Sequence, residues 1–170
     1  MTEKRYYMAC LDLEGRDCLV VGTGGMAEEK AAALVECGAR VRTVEDYRPD
    51  ELDGVWLVVA ATSDRALGER VAADAAARKV FCNVADMPDL CTFILPAVAR
   101  RDPLLIGVST SGASPALAQR IRDEVAERYG ERYAELARRL RDLRPWARER
   151  FPTYEERRDY FRDLVTKELA

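Results

Sequence analysis

Short apolar runs, several of them stopped by glycine, alternate along the first two thirds of the chain with alanine-rich stretches that carry charges. Asp17-Cys-Leu-Val-Val-Gly22 reads as a buried parallel strand, an apolar run halted by a glycine. Met26–Cys37 is rich in alanine and good helix formers, and Gly38 stands where a helix would end. Val41–Val44 is a second strand, and Val55–Ala61, with the run Val-Trp-Leu-Val-Val-Ala-Ala, gives the strongest strand signal. Asp64–Arg78 follows as a helix with Thr62, Ser63 and Asp64 available as caps. Val80–Val84 is a further strand, Phe93–Leu95 another short one, and Leu104–Ser109 the last. Strands alternating with helices predict βαβ units around a parallel sheet.

Beyond Ser114 the pattern turns helical. Ser114-Pro115 combines a hydroxyl cap with proline at the first helical position, and that helix is expected to reach about Tyr129, where Gly130 breaks or kinks it. Arg132–Leu143 places Leu136, Leu140 and Leu143 on one stripe and is expected to stop before Pro145. Thr153-Tyr-Glu-Glu156 is a capping box that opens a final helix. Charge shifts with the pattern: residues 1–119 carry 13 basic and 18 acidic side chains, and residues 120–170 carry 14 and 12.

Composition narrows the function classes. A length of 170 residues suits one domain, or one domain with a small appendage. With 27 basic against 30 acidic residues the chain lacks the footprint of a general nucleic-acid binder. Histidine is absent, which removes Ser-His-Asp, Cys-His and His-ligated zinc chemistry and leaves proton transfer to carboxylates, Lys, Tyr or Cys. The five cysteines, Cys10, Cys18, Cys37, Cys82 and Cys91, form no C-x-x-C pair and are expected to be packing residues in a reducing compartment, with no metal site. No run approaches the roughly 18 apolar residues of a membrane span, and no apolar signal stretch follows the N-terminus. The expectation is a soluble, cytoplasmic protein.

The chemistry-bearing motif is Gly22-Thr23-Gly24-Gly25-Met26-Ala27, a G-x-G-x-x-A that follows a predicted strand and opens a predicted helix. The first glycine permits the tight turn. The second lets the backbone approach a pyrophosphate, and the small last residue lets helix and strand pack closely. Glu45 and Asp46, 23 and 24 residues after Gly22, are the acids available for ribose hydroxyls. Arg40, Arg42 and Arg48 lie in the same region and would suit a 2′-phosphate instead. Only nine residues, Asp46–Gly54, separate the second and third strands, too few for a crossover helix. The sheet is therefore expected to be shortened by one βα unit.

Two further clusters stand at strand ends. Asn83-Val84-Ala85-Asp86-Met87-Pro88 presents Asp86 in a turn at the carboxyl end of a strand, where open α/β sheets bind ligands. An ordinary Asx turn before proline explains the same residues. Ser109-Thr110-Ser111-Gly112-Ala113-Ser114 is a hydroxyl-rich strand-to-helix turn, a second potential anion site; capping accounts for Ser114 but not for the other hydroxyls.

Taken in order, Asp17 to Lys30, Phe81 to Asp86, Phe93-Ile-Leu-Pro96 and Val108 to Ala118 resemble blocks of the precorrin-2 dehydrogenase family, which includes the N-terminal part of siroheme synthase. The resemblance implies an α/β, Rossmann-like dinucleotide-binding domain over residues 1–108, a dimerisation region over 109–145 and a helical C-terminal segment over 146–170. It implies NAD-dependent oxidation of precorrin-2 to sirohydrochlorin by a homodimer, some members also inserting ferrous iron as a substrate. The family's functional aspartate falls on Asp86. Substrate-side residues fall on Asn83, Thr110, Ser111 and Ser114. The cofactor set is Gly22, Gly24, Gly25, Met26, Ala27, Asp46 and Thr62. Two departures are plain: the connection after the second strand is short, and Ser111 replaces a family glycine. The competing expectation is a non-catalytic dimeric NAD(P)-sensing module.

Overall fold

The computed structural model describes residues 4–170. They divide into two compact units, with the boundary between Leu95 and Pro96. The first is a parallel α/β sheet. Its elements are β1 (Asp17–Val21), α1 (Gly24–Glu36), β2 (Arg40–Val44), a 3₁₀ turn (Pro49–Leu52), β3 (Leu57–Ala60), α2 (Arg65–Arg78), β4 (Phe81–Val84) and a second 3₁₀ turn (Pro88–Leu90). The strands lie in the order β2-β1-β3-β4, all parallel. β1 and β3 are the central strands, and from Cys18 to Val21 and Leu57 to Ala60 every residue is buried, as strands covered on both faces require.

The short link from β2 to β3 holds no crossover helix and no additional strand, as the nine-residue spacing requires. Its 3₁₀ turn buries Leu52 in the main core, and two polar contacts tie the link to α2. Tyr47 Oη donates to Asp74 Oδ2 at 2.9 Å, and Arg78 Nε meets Asp53 Oδ1 at 3.2 Å. Burial and the Asp74 carboxylate together push the Tyr47 phenol well above its ordinary range, so it stays a donor.

Phe93–Leu95 is not a strand. The segment is bound along the free edge of β4 mostly through side chains. Cys82 N donates to Thr92 Oγ1 at 2.8 Å, and Asn83 Nδ2 donates to the Phe93 carbonyl at 3.1 Å. One backbone bond, Thr92 N to Cys82 O at 2.8 Å, completes the attachment. The edge is thereby covered without a ladder.

In the second unit, Leu104–Val108 does form a strand, β6, but outside the parallel sheet. It pairs antiparallel with β5 (Ala97–Arg101), which the sequence pattern did not reveal, in a separate two-stranded sheet. Helices α3 (Pro115–Arg128), α4 (Glu131–Arg150) and α5 (Tyr154–Leu169) follow. The expected stop before Pro145 is overturned, because α4 runs through it to Arg150. A proline removes one intrahelical bond. Packing on its far side outweighs that loss: Ala147 is fully buried, and Phe151 meets Trp146 edge-on at 5.9 Å and lies tilted against Tyr160 at 5.0 Å. The capping box opening α5 is present, with Glu156 N on Thr153 Oγ1 at 3.2 Å and Thr153 N on Glu156 Oε2 at 3.2 Å.

Candidate functional site

Strand register brings the predicted residues of the first unit to one edge. Val21 aligns with Val44 and Ala60, and Ala60 aligns with Val84. The turns that follow these four residues carry the glycine motif, Asp46, Thr62 and Asp86. All four therefore leave the sheet at its carboxyl end, the ligand-binding edge of open parallel sheets.

The glycine turn is built for close approach. Gly22 has φ +130°, and a Cβ there would lie 2.2 Å from the Ala61 carbonyl oxygen, so only glycine fits between the adjacent strands. Ala27 is 1% exposed and packs with Val20 and Ala61, which seats α1 tightly on the sheet. Gly24, at φ +75°, and Gly25 face open space, and a Cβ on either would meet no described atom within 4 Å. Thr23, the N-cap of α1, makes no side-chain cap bond. The first-turn N–H groups of α1 thus carry no side-chain acceptor, over a surface that glycine leaves flat. A pyrophosphate fits this cradle. Met26 is half exposed beside it.

Asp46 is exposed two residues past β2 and has no partner among the described residues. Thr62 is half-buried, its Oγ1 accepting from Asp64 N at 3.0 Å, while Asp64 caps α2 through Ala66 N at 2.9 Å. The three arginines that would suit a 2′-phosphate are engaged elsewhere. Arg40 makes a two-pronged pair with Asp17 at 2.8 Å, at the opposite end of the sheet. Arg42 pairs with Glu51, and Arg48 lies 3.4 Å from Glu51 and 3.7 Å from Asp50.

Asp86 sits in the left-handed region at φ +57°, exposed, with no hydrogen bond or ion pair to any described residue. That conformation is uncommon for a residue with a Cβ, though aspartate tolerates it better than most. The surroundings hold it there. Cys91 Sγ accepts from Val84 N at 3.2 Å and lies 3.3 Å from the carbonyls of Val84 and Met87, either of which its thiol can serve. Asn83, 9% exposed, donates to the Phe93 carbonyl and lies 3.6 Å from Cys91 Sγ. Its amide is occupied in bracing this turn. Gly68 of α2 lets the turn approach, since a Cβ would lie 2.9 Å from Val84 Cγ1 and 3.2 Å from Met87 Sδ. Burial raises both nearby thiols, Cys82 to about 12, so they remain protonated packing groups. Sequence reasoning missed Gly68, Cys91 and Thr92 as supports because none lies in a recognisable local motif.

The hydroxyl turn belongs to the second unit and differs in kind. Thr110 Oγ1 accepts from Ser114 N at 2.9 Å and lies 3.1 Å from the Ser114 carbonyl. Ser109 Oγ accepts from Ser111 N at 3.1 Å, and Ser114 Oγ caps α3 through Leu117 N at 3.2 Å. Of the hydroxyls that capping by Ser114 alone left unexplained, those of Ser109 and Thr110 are used by the turn itself, and that of Ser111 makes no hydrogen bond among the described residues. Ser111 adopts φ +55° and Gly112 φ +88°. Among the described residues there is no group of three or more His, Cys, Asp or Glu side chains able to hold a metal, and no helix is long and apolar enough to cross a membrane.

Residues 9–97 match the family model described as "Putative NAD(P)-binding", which covers more than half of the chain. The chain belongs to this NAD(P)-binding family. Residues 101–128 match a second model, "Sirohaem biosynthesis protein central". The siroheme synthase of Escherichia coli strain K12 is 36% identical over 177 residues, spanning 92% of this chain and 39% of that protein. The siroheme synthase of Citrobacter koseri is 35% identical over 173 residues, with 89% and 38% covered. The chain thus spans about two fifths of the length of these curated relatives. A solved structure titled "SirC, precorrin-2 dehydrogenase" has the same fold: its TM-score is 0.77 at 23% identity, covering 97% of this chain and 93% of that one. The NAD(P)-binding match ends within two residues of the junction between the compact units, and contains the whole glycine turn and Asp86.

Proposed function

We propose that this chain is a cytoplasmic, homodimeric precorrin-2 dehydrogenase that uses NAD to form sirohydrochlorin in sirohaem biosynthesis. The observation that carries the reading is Asp86: an unpartnered carboxylate, held left-handed at the same sheet edge as an open dinucleotide cradle. When bound, NAD accepts the hydride. The backbone N–H groups of Gly24, Gly25, Met26 and Ala27 hold the pyrophosphate after the Gly22 turn, Asp46 accepts from ribose hydroxyls, and Thr62 borders the same end. The engaged arginines support NAD over its 2′-phosphorylated form. Dehydrogenation removes two hydrogens from the substrate; one leaves as hydride, and Asp86 takes the other as a proton and passes it to solvent.

Thr110, Ser111 and Ser114 form the substrate side, within a dimerisation region over residues 109–145 that precedes a helical segment over 146–170. Asn83 contributes by holding the Asp86 turn in place. Ferrous iron is a second substrate, its entry releasing two pyrrole protons that the same carboxylate takes one at a time and passes to solvent.

The test is a spectrum. Precorrin-2 and NAD with the parent chain should yield sirohydrochlorin and reduced cofactor, and Asp86→Asn should slow this roughly 10²–10⁴-fold with NAD affinity little changed. Turnover at the parent rate in that variant returns Asp86 to a simple turn residue. NAD binding by the parent with no turnover favours the sensing module.

A further inference from the structure

Helices α4 and α5 enclose a groove of about 480 Å³ whose chemistry the reaction above does not use. Arg144 and Arg148, one turn apart on α4, face it together with Arg157 and Arg158 of α5. Tyr154 and Phe161 supply flat apolar surface, and among the described residues no carboxylate lines the space. Two of the four guanidiniums, Arg144 and Arg148, make no hydrogen bond or ion pair among the described residues. Arg157 is held in place by the α4–α5 link, Nη1 donating to the carbonyls of Phe151 at 2.7 Å and Pro152 at 2.8 Å. Arg158 is shared with Asp159 at 2.9 Å.

Among the described residues Arg158 alone of the four has an ion-pair partner, Asp159, so the remaining like charges repel one another unless an anion joins them. The volume is that of a cofactor-sized ligand rather than a single small anion. Guanidinium groups take carboxylates in two-pronged bonds, and the rings offer a face for a planar body. We infer that this groove binds a planar polycarboxylate macrocycle, the chemical class of the substrate and product proposed above. The site rests on the proposed reaction only for the choice of carboxylate.

The probe is uroporphyrin I, an octacarboxylate porphyrin, titrated by fluorescence against the full chain. Arg144→Gln with Arg148→Gln should weaken binding roughly tenfold or more, as lost charge-assisted pairs at a partly exposed site would. The charge-matched pair Arg141→Gln with Arg150→Gln, on the same helix but off the groove, should stay within about twofold of the parent. Tyr154→Ala should weaken binding several-fold without disturbing the Thr153 cap. Circular dichroism and NAD affinity check that each variant is folded. Equal losses in both double variants, no loss in the groove variant, or displacement of the porphyrin by a short oligonucleotide would each overturn the inference. The two readings separate cleanly. Groove-dependent porphyrin binding without precorrin-2 turnover leaves the groove standing and removes the reaction. Turnover with porphyrin binding unchanged in the groove variant does the reverse.

Discussion

The chain contains two strand-to-helix turns that look alike in sequence, both short and glycine-bearing, and both open a helix that starts against a strand end. They resolve the same electrostatic problem in opposite ways. At Gly22–Ala27 the first turn of α1 has no side-chain cap, and the two glycines at its start keep the approach clear. At Ser109–Ser114 side chains supply acceptors from within: Thr110 takes Ser114 N, Ser109 takes Ser111 N and Ser114 takes Leu117 N. A helix N-terminus attracts anions only as far as its N–H groups remain unserved. The first turn is open to a phosphate, and the second has largely satisfied itself. Hydroxyls near a helix start are therefore weaker grounds for a phosphate site than glycines that leave the same N–H groups bare.

Substitutions in the two turns sharpen the contrast. Gly24→Val fills open space at φ +75° and should abolish NAD binding measured by calorimetry, while costing only about 1–2 kcal/mol of stability. Retained affinity would show that the cradle is not where the pyrophosphate lies. Gly22→Ala drives a Cβ onto a backbone oxygen 2.2 Å away, so urea denaturation should report a loss of about 3 kcal/mol or more. A near-neutral result would mean that the β1–β3 edge yields more readily than two buried strands should. In the second turn, Ser114→Ala removes the cap on Leu117 N and should cost about 1 kcal/mol in the same assay, with NAD affinity untouched. The smallest effect has the opposite sign. Ser111→Gly relieves a left-handed residue, worth about 1–2 kcal/mol, against about 0.4–1 kcal/mol of added unfolded-state freedom. The net is a stabilisation of about 0–1.6 kcal/mol, and a destabilised variant would show that the Ser111 side chain contributes more than its backbone costs.

What the chain's order of residues determined by itself is local. A buried run stopped by glycine, a proline after a capping serine and a Thr-x-x-Glu box each draw on neighbours within four positions, and each formed where expected. The missing βα unit was also legible, since nine residues cannot span a crossover helix whatever surrounds them. Tertiary structure decided the rest. Leu104–Val108 reads as a strand in any setting, but only its pairing with Ala97–Arg101 removes it from the parallel sheet. Pro145 stops an isolated helix, yet rings at 146, 151 and 160 and the buried Ala147 carry α4 past it. Asp86 stands in the turn expected, but beside the loop contacts of Cys91 with Met87 and of Asn83 with Phe93, its left-handed pose depends on the gap left by Gly68 of α2, a separate segment of the chain. Hydrogen bonds and steric fit between distant segments have no period along the chain, so they become visible only once the strands are in register.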